Sequence, residues 1–361
     1  MESCGSSTMR ELEKFLLVSV SSLTFLRLLY RHKLRKSPKM NTSSNFTCDG
    51  KLSADFQFYL FPITYILVMV FGLLGNLGAL YIFIFKTEQR SPSSVYILSL
   101  AVVDTIFLCV LPFRIHYHLN DNNWIFGTVM CRLTGTLFFS NVYISIAFMS
   151  CICVDRYLAT VHPHTYLRLR NTRCAVIVSA CMWIFGGTVI LTFIFTFPDM
   201  HNTEEKTSCF ENFSENEWKT NLVPYSAFSL VFGALLPSII ILVLYPVVAR
   251  RIARIKTRTA RGAQRIIYTI LAITLLCFLP YHFVYFLHLL WRTQVIHNCL
   301  LADVIYKARR ITIALVSMNS LFDPLLYYFA TSYCKLNCKW KLLKPKKKRG
   351  VYIISERLQA H

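Results

Sequence analysis

A chain of 361 residues that is 55% hydrophobic and only 16% charged is too apolar for an ordinary soluble domain. Seven long apolar runs, each about the length of roughly 20 residues that crosses a bilayer, exclude a single soluble core; being continuous rather than alternating, they also exclude a spanning β-barrel. The net charge of +21 does not point to nucleic acid, because the basic residues cluster in the short segments that join and follow the apolar runs.

The chain opens on an unusual segment. Phe15–Leu26 is moderately apolar but broken by serines, and the basic run "RLLYRHKLRK" follows it. That run disfavours an outer location, and no small-residue cleavage site follows, which weakens a signal-peptide reading. Met40 then opens "MNTSSNFTCDG", with glycosylation sequons at Asn41 and Asn45. Residues 1–57 read as an extracellular tail. Within it, 1–39 reads as an extension upstream of an alternative start; a poorly cleaved signal and an unstructured extension stay open beside that reading.

The apolar runs follow in order, as spans one to seven: Phe58–Phe85, Val95–Phe113, Leu133–Val154, Cys174–Phe197, Leu222–Ala249, Ile266–Trp291 and Ile311–Ala330. Residues 58–330 therefore form the predicted bundle. Arg168, Arg170 and Arg173 lie between spans three and four, Arg250, Arg251, Arg254, Lys256, Arg258, Arg261 and Arg265 between five and six. Lys341, Lys344, Lys346, Lys347, Lys348 and Arg349 follow span seven. If the spans alternate, all three groups share one side, and short basic loops stay cytoplasmic. The C-terminus is expected inside and the N-terminus outside. Asn41, Asn45 and the sequon at Asn212 then share the outer side with Cys48, Cys131, Cys209 and Cys299. Glycans are added there and disulfides persist there.

Residues 331–361 form a basic cytoplasmic tail. Its start, "TSYCKLNCKWKLL", predicts a short amphipathic helix on the inner leaflet, with cations near anionic membrane lipids. Cys334 and Cys338 are four apart and share a face; they are palmitoylation candidates, with free thiols as the alternative.

Polar groups inside the spans are costly and need partners. Asn76, Asp104, Asn141, Ser145, Asn319, Ser320 and Asp323 form such a set across spans one, two, three and seven. Asn141 and Ser145, four apart, share a helix face. Two carboxylates with amides and hydroxyls suit a small hard cation such as sodium, with a candidate site at Asp104, Asn141, Ser145, Asn319 and Asp323. A hydrogen-bonded knot that only joins helices is the other reading.

Span by span, the sequence carries Asn76 in "GLLGN", "LSLAVVD" ending at Asp104, "DRY" at 155–157, Trp183, Pro237 with Tyr245, "CFLP" at 277–280 and "DPLLY" at 323–327. With this ordered set the chain resembles a rhodopsin-like G-protein-coupled receptor over about residues 45 to 340. The resemblance implies an all-α seven-transmembrane bundle at the plasma membrane, no catalytic residues, and a heterotrimeric G protein as partner. It implies a Cys131–Cys209 bridge from the top of span three to the second outer loop, and a second, Cys48–Cys299, from the tail to the third outer loop. It also implies that Asp155 holds Arg156 at rest and that activation frees Arg156 while Tyr245 and Tyr327 rearrange around it, with Tyr157, Phe278, Pro280, Asp323 and Pro324 as the other switch positions. Phe278 stands where the family has tryptophan, Asp323 where most members have asparagine, and Thr274 where the packing switch with Ile146 and Pro237 has an aromatic. Few hydroxyls in the tail imply weak arrestin recruitment.

Phe138 in span three and Ser317 in span seven argue against a biogenic amine and a retinal Schiff base. The outer half is cationic instead: Arg114, His116 and His118 in "LPFRIHYH", His282 in "CFLPYHF", Lys307, Arg309 and Arg310 before span seven, with Arg132 and Lys219 on the rim. Arginine binds phosphate or carboxylate bidentately, so an anionic ligand is expected on Arg114, His118, His282, Tyr285, Arg309 and Arg310. "CFENFSENEWK" and "VDRYLATVHP" are similar to lysophosphatidic-acid-like members of the branch that takes nucleotides, lysophospholipids, other lipid mediators and protons. A lipid agonist is the expectation. Nucleotide and proton remain alternatives within the branch; Tyr285 in place of a base counts against a nucleotide. A transporter, which would need paired repeats and broken helices, is the alternative of a different class.

Overall fold

The computed structural model describes residues 52–86, 91–162, 166, 172–196, 201–202, 207–211, 218, 222–253 and 258–329. All lie in one of the chain's two compact units, Lys51–His361; the other, Met1–Gly50, falls outside the described residues. Outside them too are Asn41, Asn45, Asn212, Cys48, Lys219, Cys334, Cys338 and the predicted tail helix.

The described residues are nearly all helical. Span one is Gln57–Tyr81, widened into a π-turn at Ile82–Lys86. Span two is Pro92–Leu119, started by a reciprocal Ser91–Ser94 capping box with Pro92 in the first turn. Span three, Gly127–Val161, is the longest, and span four is Thr172–Thr196. Span five runs Val223–Phe228, then a π-turn at Ser229–Leu235, then Leu236–Ala253. Span six runs Arg258–Ile273, a π-turn at Thr274–Phe278, and Leu279–Arg292. Its wide turn sits just before Pro280, whose missing N–H breaks the regular ladder.

Among the described residues six helices are long and apolar enough to cross a membrane, the first six in chain order. The seventh differs from expectation in its outer half. It starts at Cys299, capped by Asn298, and carries Asp303, Lys307, Arg309 and Arg310 before the apolar stretch begins. A turn at Met318 separates Cys299–Ser317 from a second helical piece at 319–329. The apolar run from Ile311 is divided by the turn at Met318, and the charges lie in the outer piece, so neither piece alone is long and apolar enough to cross, yet both pack into the bundle.

Bundle and lipid-facing surfaces are distinct. Span one exposes Tyr59, Leu74 and Phe85, and span four Ile177, Ile184 and Phe195. Apolar surface on that scale is far beyond what a soluble monomer shows and suits lipid. Facing inward, Leu100, Phe107, Ile146, Phe148, Met149 and Phe278 are fully buried. One hairpin tops the bundle: β1 (His201–Asn202) pairs antiparallel with β2 (Thr207–Ser208), and Trp124 N–H donates to Thr207 O at 2.9 Å. Beyond β2, Cys209 is bridged to Cys131 in span three, as the resemblance implied.

Candidate functional site

A cavity opens beneath this loop. Spans one, two, three, five, six and seven line it, with Phe210 and Glu211 of the loop itself. Five of the six expected ligand residues share its wall: Arg114, His118, Tyr285, Arg309 and Arg310. The sixth does not. His282 is buried one turn below Tyr285's level, near Tyr143 and parallel to Phe278, and stands outside the cavity wall. A histidine in "CFLPYHF" could face either way; the rotation of span six decides, and hydropathy does not report it.

The rim cations also divide. Lys307 is paired with Asp303 one turn earlier, at 2.5 Å. Arg132 donates to the Ile194 carbonyl at 3.1 Å, tying span three to span four. Arg114 is different. It is 7% exposed, stacked near Phe138 and Phe210, and its Nε and Nη2 have no acceptor among the described residues. Arg309 lies over the Tyr285 ring at 5.1 Å with Nη1 likewise unpartnered. Tyr285 is held by Ser226 of span five, hydroxyl to hydroxyl at 2.6 Å. His118 hydrogen-bonds Asn122 at 2.8 Å and stacks on Phe61.

Several wall residues escaped the sequence reading. Arg292, at the top of span six, lies over Trp291 and Trp218, and His288 packs against Trp218 edge to face. Tyr306 accepts from Arg310 Nη2 at 2.8 Å. Most telling is Glu211. Its Oε1 accepts from Arg310 Nη1 at 2.5 Å, and its Oε2 from the Tyr117 hydroxyl at 3.4 Å. Burial would raise the Glu211 pKa, but the positive field of Arg310, with His118 and Arg114, outweighs it and holds the carboxyl below its usual range. One signal was available: Glu211 follows Cys209 by two residues, so the bridge to span three pins it over the bundle.

Deeper, the polar set forms one network. Asp104 accepts from Ser320 Oγ at 2.7 Å, Asn141 Nδ2 at 3.1 Å and the Tyr327 hydroxyl at 3.2 Å. Asn141 Nδ2 also reaches Ser145 Oγ at 3.4 Å. Tyr327 further reaches Asn76 Oδ1 at 3.1 Å. Among the described residues, both carboxylate oxygens of Asp323 and Oδ1 of Asn141 are buried without a donor, and Asn319 leaves Nδ2 without an acceptor. Orphaned acceptor oxygens beside a buried carboxylate fit a small hard cation.

At the inner end, Asp155 and Arg156 are paired at 2.5 Å, largely buried. Ser93 of span two bridges them, donating to Asp155 and accepting from Arg156. Tyr157 hydrogen-bonds His162 at 3.2 Å instead. Tyr245 packs edge to face on Tyr268 of span six, while Tyr327 points into the polar network; the two tyrosines thus hold separate positions. Phe278 is fully buried, and the Pro324 ring meets span one at Gly75, where a Cβ would approach it to 2.4 Å.

Residues 75–327 match the family model described as 7 transmembrane receptor (rhodopsin family). The chain is 36% identical over 300 residues to lysophosphatidic acid receptor 4 of Mus musculus, covering 80% of this chain and 78% of that one. To lysophosphatidic acid receptor 6 of Gallus gallus it is 36% identical over 283 residues, 76% of this chain and 91% of the relative. To the uracil nucleotide/cysteinyl leukotriene receptor of Homo sapiens it is 34% identical over 297 residues, 79% and 78% respectively.

Proposed function

Because the chain belongs to the rhodopsin family of seven-transmembrane receptors, we propose that it is a plasma-membrane receptor for an anionic lipid mediator of the lysophospholipid kind, with its N-terminus outside and C-terminus in the cytoplasm. The observation that carries the reading is the pair of unpartnered guanidinium edges, Arg114 and Arg309, inside one cavity. A phosphate offers the missing acceptors, and each charge-assisted hydrogen bond contributes about 1.5–3 kcal/mol. Phe138, Phe139 and Tyr143 supply an apolar wall beside the arginines for the start of an acyl chain. The names of the two lysophosphatidic acid receptor relatives support the same class.

A nucleotide is the second reading. The uracil nucleotide relative and the rings of Tyr281 and Tyr285, parallel at 6.0 Å, favour it, since stacked aromatics suit a base. Proton sensing has less support: His118 is already bonded to Asn122 and His282 is sealed from the cavity.

The ligand's headgroup draws spans two and seven together through Arg114 and Arg309. Movement reaches the inner face through spans five and six, whose π-turns bring looser helical geometry to the positions that must bend. Arg156 then exchanges Asp155 for a heterotrimeric G protein entering the inner cleft, flanked by the basic 250–265 segment. Asp104, Asn141, Ser145, Asn319 and Asp323 would hold a sodium ion in the resting state, which would compensate the two carboxylates. Cys48–Cys299 is the proposed second bridge, Asn41, Asn45 and Asn212 the glycan sites, and Cys334 and Cys338 the lipidated thiols.

The test is a panel of lysophosphatidic acid, uridine diphosphate and pH steps, read by G-protein activation in expressing cells, with Arg114→Ala beside wild type at matched surface expression. Lysophosphatidic acid should activate wild type, and Arg114→Ala should shift its potency by about 10- to 100-fold. Unchanged potency removes Arg114 from the site.

A further inference from the structure

We propose that Glu211 is a resident anion of the cavity: a loop carboxylate that occupies Arg310 in the free receptor and limits how strongly the cavity favours a more highly charged ligand. This rests on the anion reading above and adds a specificity-determining residue to it.

Four guanidiniums line the cavity, those of Arg114, Arg292, Arg309 and Arg310, and Glu211 is the one carboxylate among the lining residues. It does not share itself among them. Its hydrogen bonds go to Arg310 and to the Tyr117 hydroxyl, whereas Arg114 and Arg309 keep unpartnered N–H groups. Arg310 is held on its other side by Tyr306, with which it also stacks at 4.8 Å. One cation is thus neutralised and fixed, and the others stay open.

The chain is built to place this acid. The Cys131–Cys209 bridge fixes the loop to span three. Phe210 adopts φ +59°, the left-handed region that bulky residues enter rarely. Its ring lies against Gly135, where a Cβ would come within 2.2 Å of it. Bridge, bend and glycine together carry Glu211 inward from the loop.

Two consequences follow for a bound anion. A headgroup seated on Arg310 must displace Glu211; one seated on Arg114 and Arg309 must tolerate its charge. In a partly buried site, with an effective dielectric of about 20, a unit charge several ångströms away weakens anion binding substantially. A singly charged carboxylate loses least against that field, and a phosphate dianion loses about twice as much. Glu211 therefore limits the preference of the four guanidiniums for doubly charged headgroups.

The experiment uses the full receptor in membranes, with lysophosphatidic acid and oleate as probes. Glu211→Gln should bind lysophosphatidic acid about tenfold tighter and widen its preference over oleate. Arg310→Gln should bind it more weakly, and adding Glu211→Gln to that variant should restore affinity, because the unpaired carboxylate is gone. The double variant buries no lone charge, so it reports even if Glu211→Gln alone fails to fold. Weaker binding in Glu211→Gln, or no rescue in the double variant, overturns the proposal and makes Glu211 a support for Arg310. If wild type ignores lysophosphatidic acid, the lipid reading fails by itself. Glu211 is then judged by heat protection of purified receptor with inorganic pyrophosphate. Glu211→Gln must be protected at lower concentration than wild type, and equal protection overturns the proposal.

Discussion

Asn76 gives the Ser320 carbonyl a hydrogen bond, 2.9 Å long, that span seven cannot supply for itself. Four residues on stands Pro324, which has no N–H to donate. Gly75 lets the proline ring approach span one, so the amide of the next residue reaches the orphaned carbonyl. Asn76 Oδ1 and Asp104 Oδ2 then share the single Tyr327 hydroxyl proton, at 3.1 and 3.2 Å. One asparagine couples a helix break to the buried polar network.

Asn76→Ala should therefore destabilise the receptor by about 1–3 kcal/mol, the cost of a buried polar group left unpaired. Thermal unfolding of purified protein measures it. Pro324→Ala restores an N–H at 324, so the same Asn76 change should cost less in that background; equal losses in both backgrounds would show that the carbonyl is not what Asn76 serves.

Gly135→Ala should displace Phe210 and weaken ligand binding without removing any polar contact. The added carbon meets the Phe210 ring at 2.2 Å, so the ring must move. Phe210→Ala in the same chain should recover part of the loss. Radioligand saturation on membranes separates the two; a Gly135→Ala receptor with normal affinity refutes the close packing.

Arg156→Ala should bind agonist and fail to drive nucleotide exchange. Arg156 is paired with Asp155 at 2.5 Å and bridged by Ser93, so the resting state does not need it free. Ser93→Ala removes the bridge alone and should raise basal exchange. Normal agonist-driven exchange in Arg156→Ala would falsify its role.

Asp104→Asn should abolish the effect of sodium on agonist affinity. The asparagine keeps one oxygen to accept from Ser320 and Asn141, but its amide nitrogen cannot accept from Tyr327, and the carboxylate charge that would attract the ion is lost at this position. The check is agonist affinity in sodium against a large organic cation; a persisting sodium effect places the ion elsewhere.

The Glu211–Arg310 pair should be insensitive to mild acid. A carboxyl held below its usual range contributes stability above its unfolded pKa and loses it as pH falls through the lower folded value. Between pH 7.4 and 6, agonist affinity should change no more in wild type than in Glu211→Gln.

Much of this protein was legible in its sequence, because crossing a bilayer is a local demand. A run of about 20 apolar residues, a basic loop or a proline is read without knowing its neighbours. The Asp155–Arg156 pair followed from the family resemblance, since adjacent residues on a helix need not face each other, whereas the intramembrane Asn76, Asp104, Asn141 and Asp323 had to find partners or stay costly. The tertiary structure decided what helix rotation and loop path decide. It turned His282 away from the cavity and Arg114 into it, spent Lys307 on Asp303 and Arg132 on a backbone carbonyl, and brought Glu211 down onto Arg310. Those outcomes depend on which faces of seven packed helices meet, and a one-residue rotation of about 100° redirects a side chain without altering the hydropathy of its span.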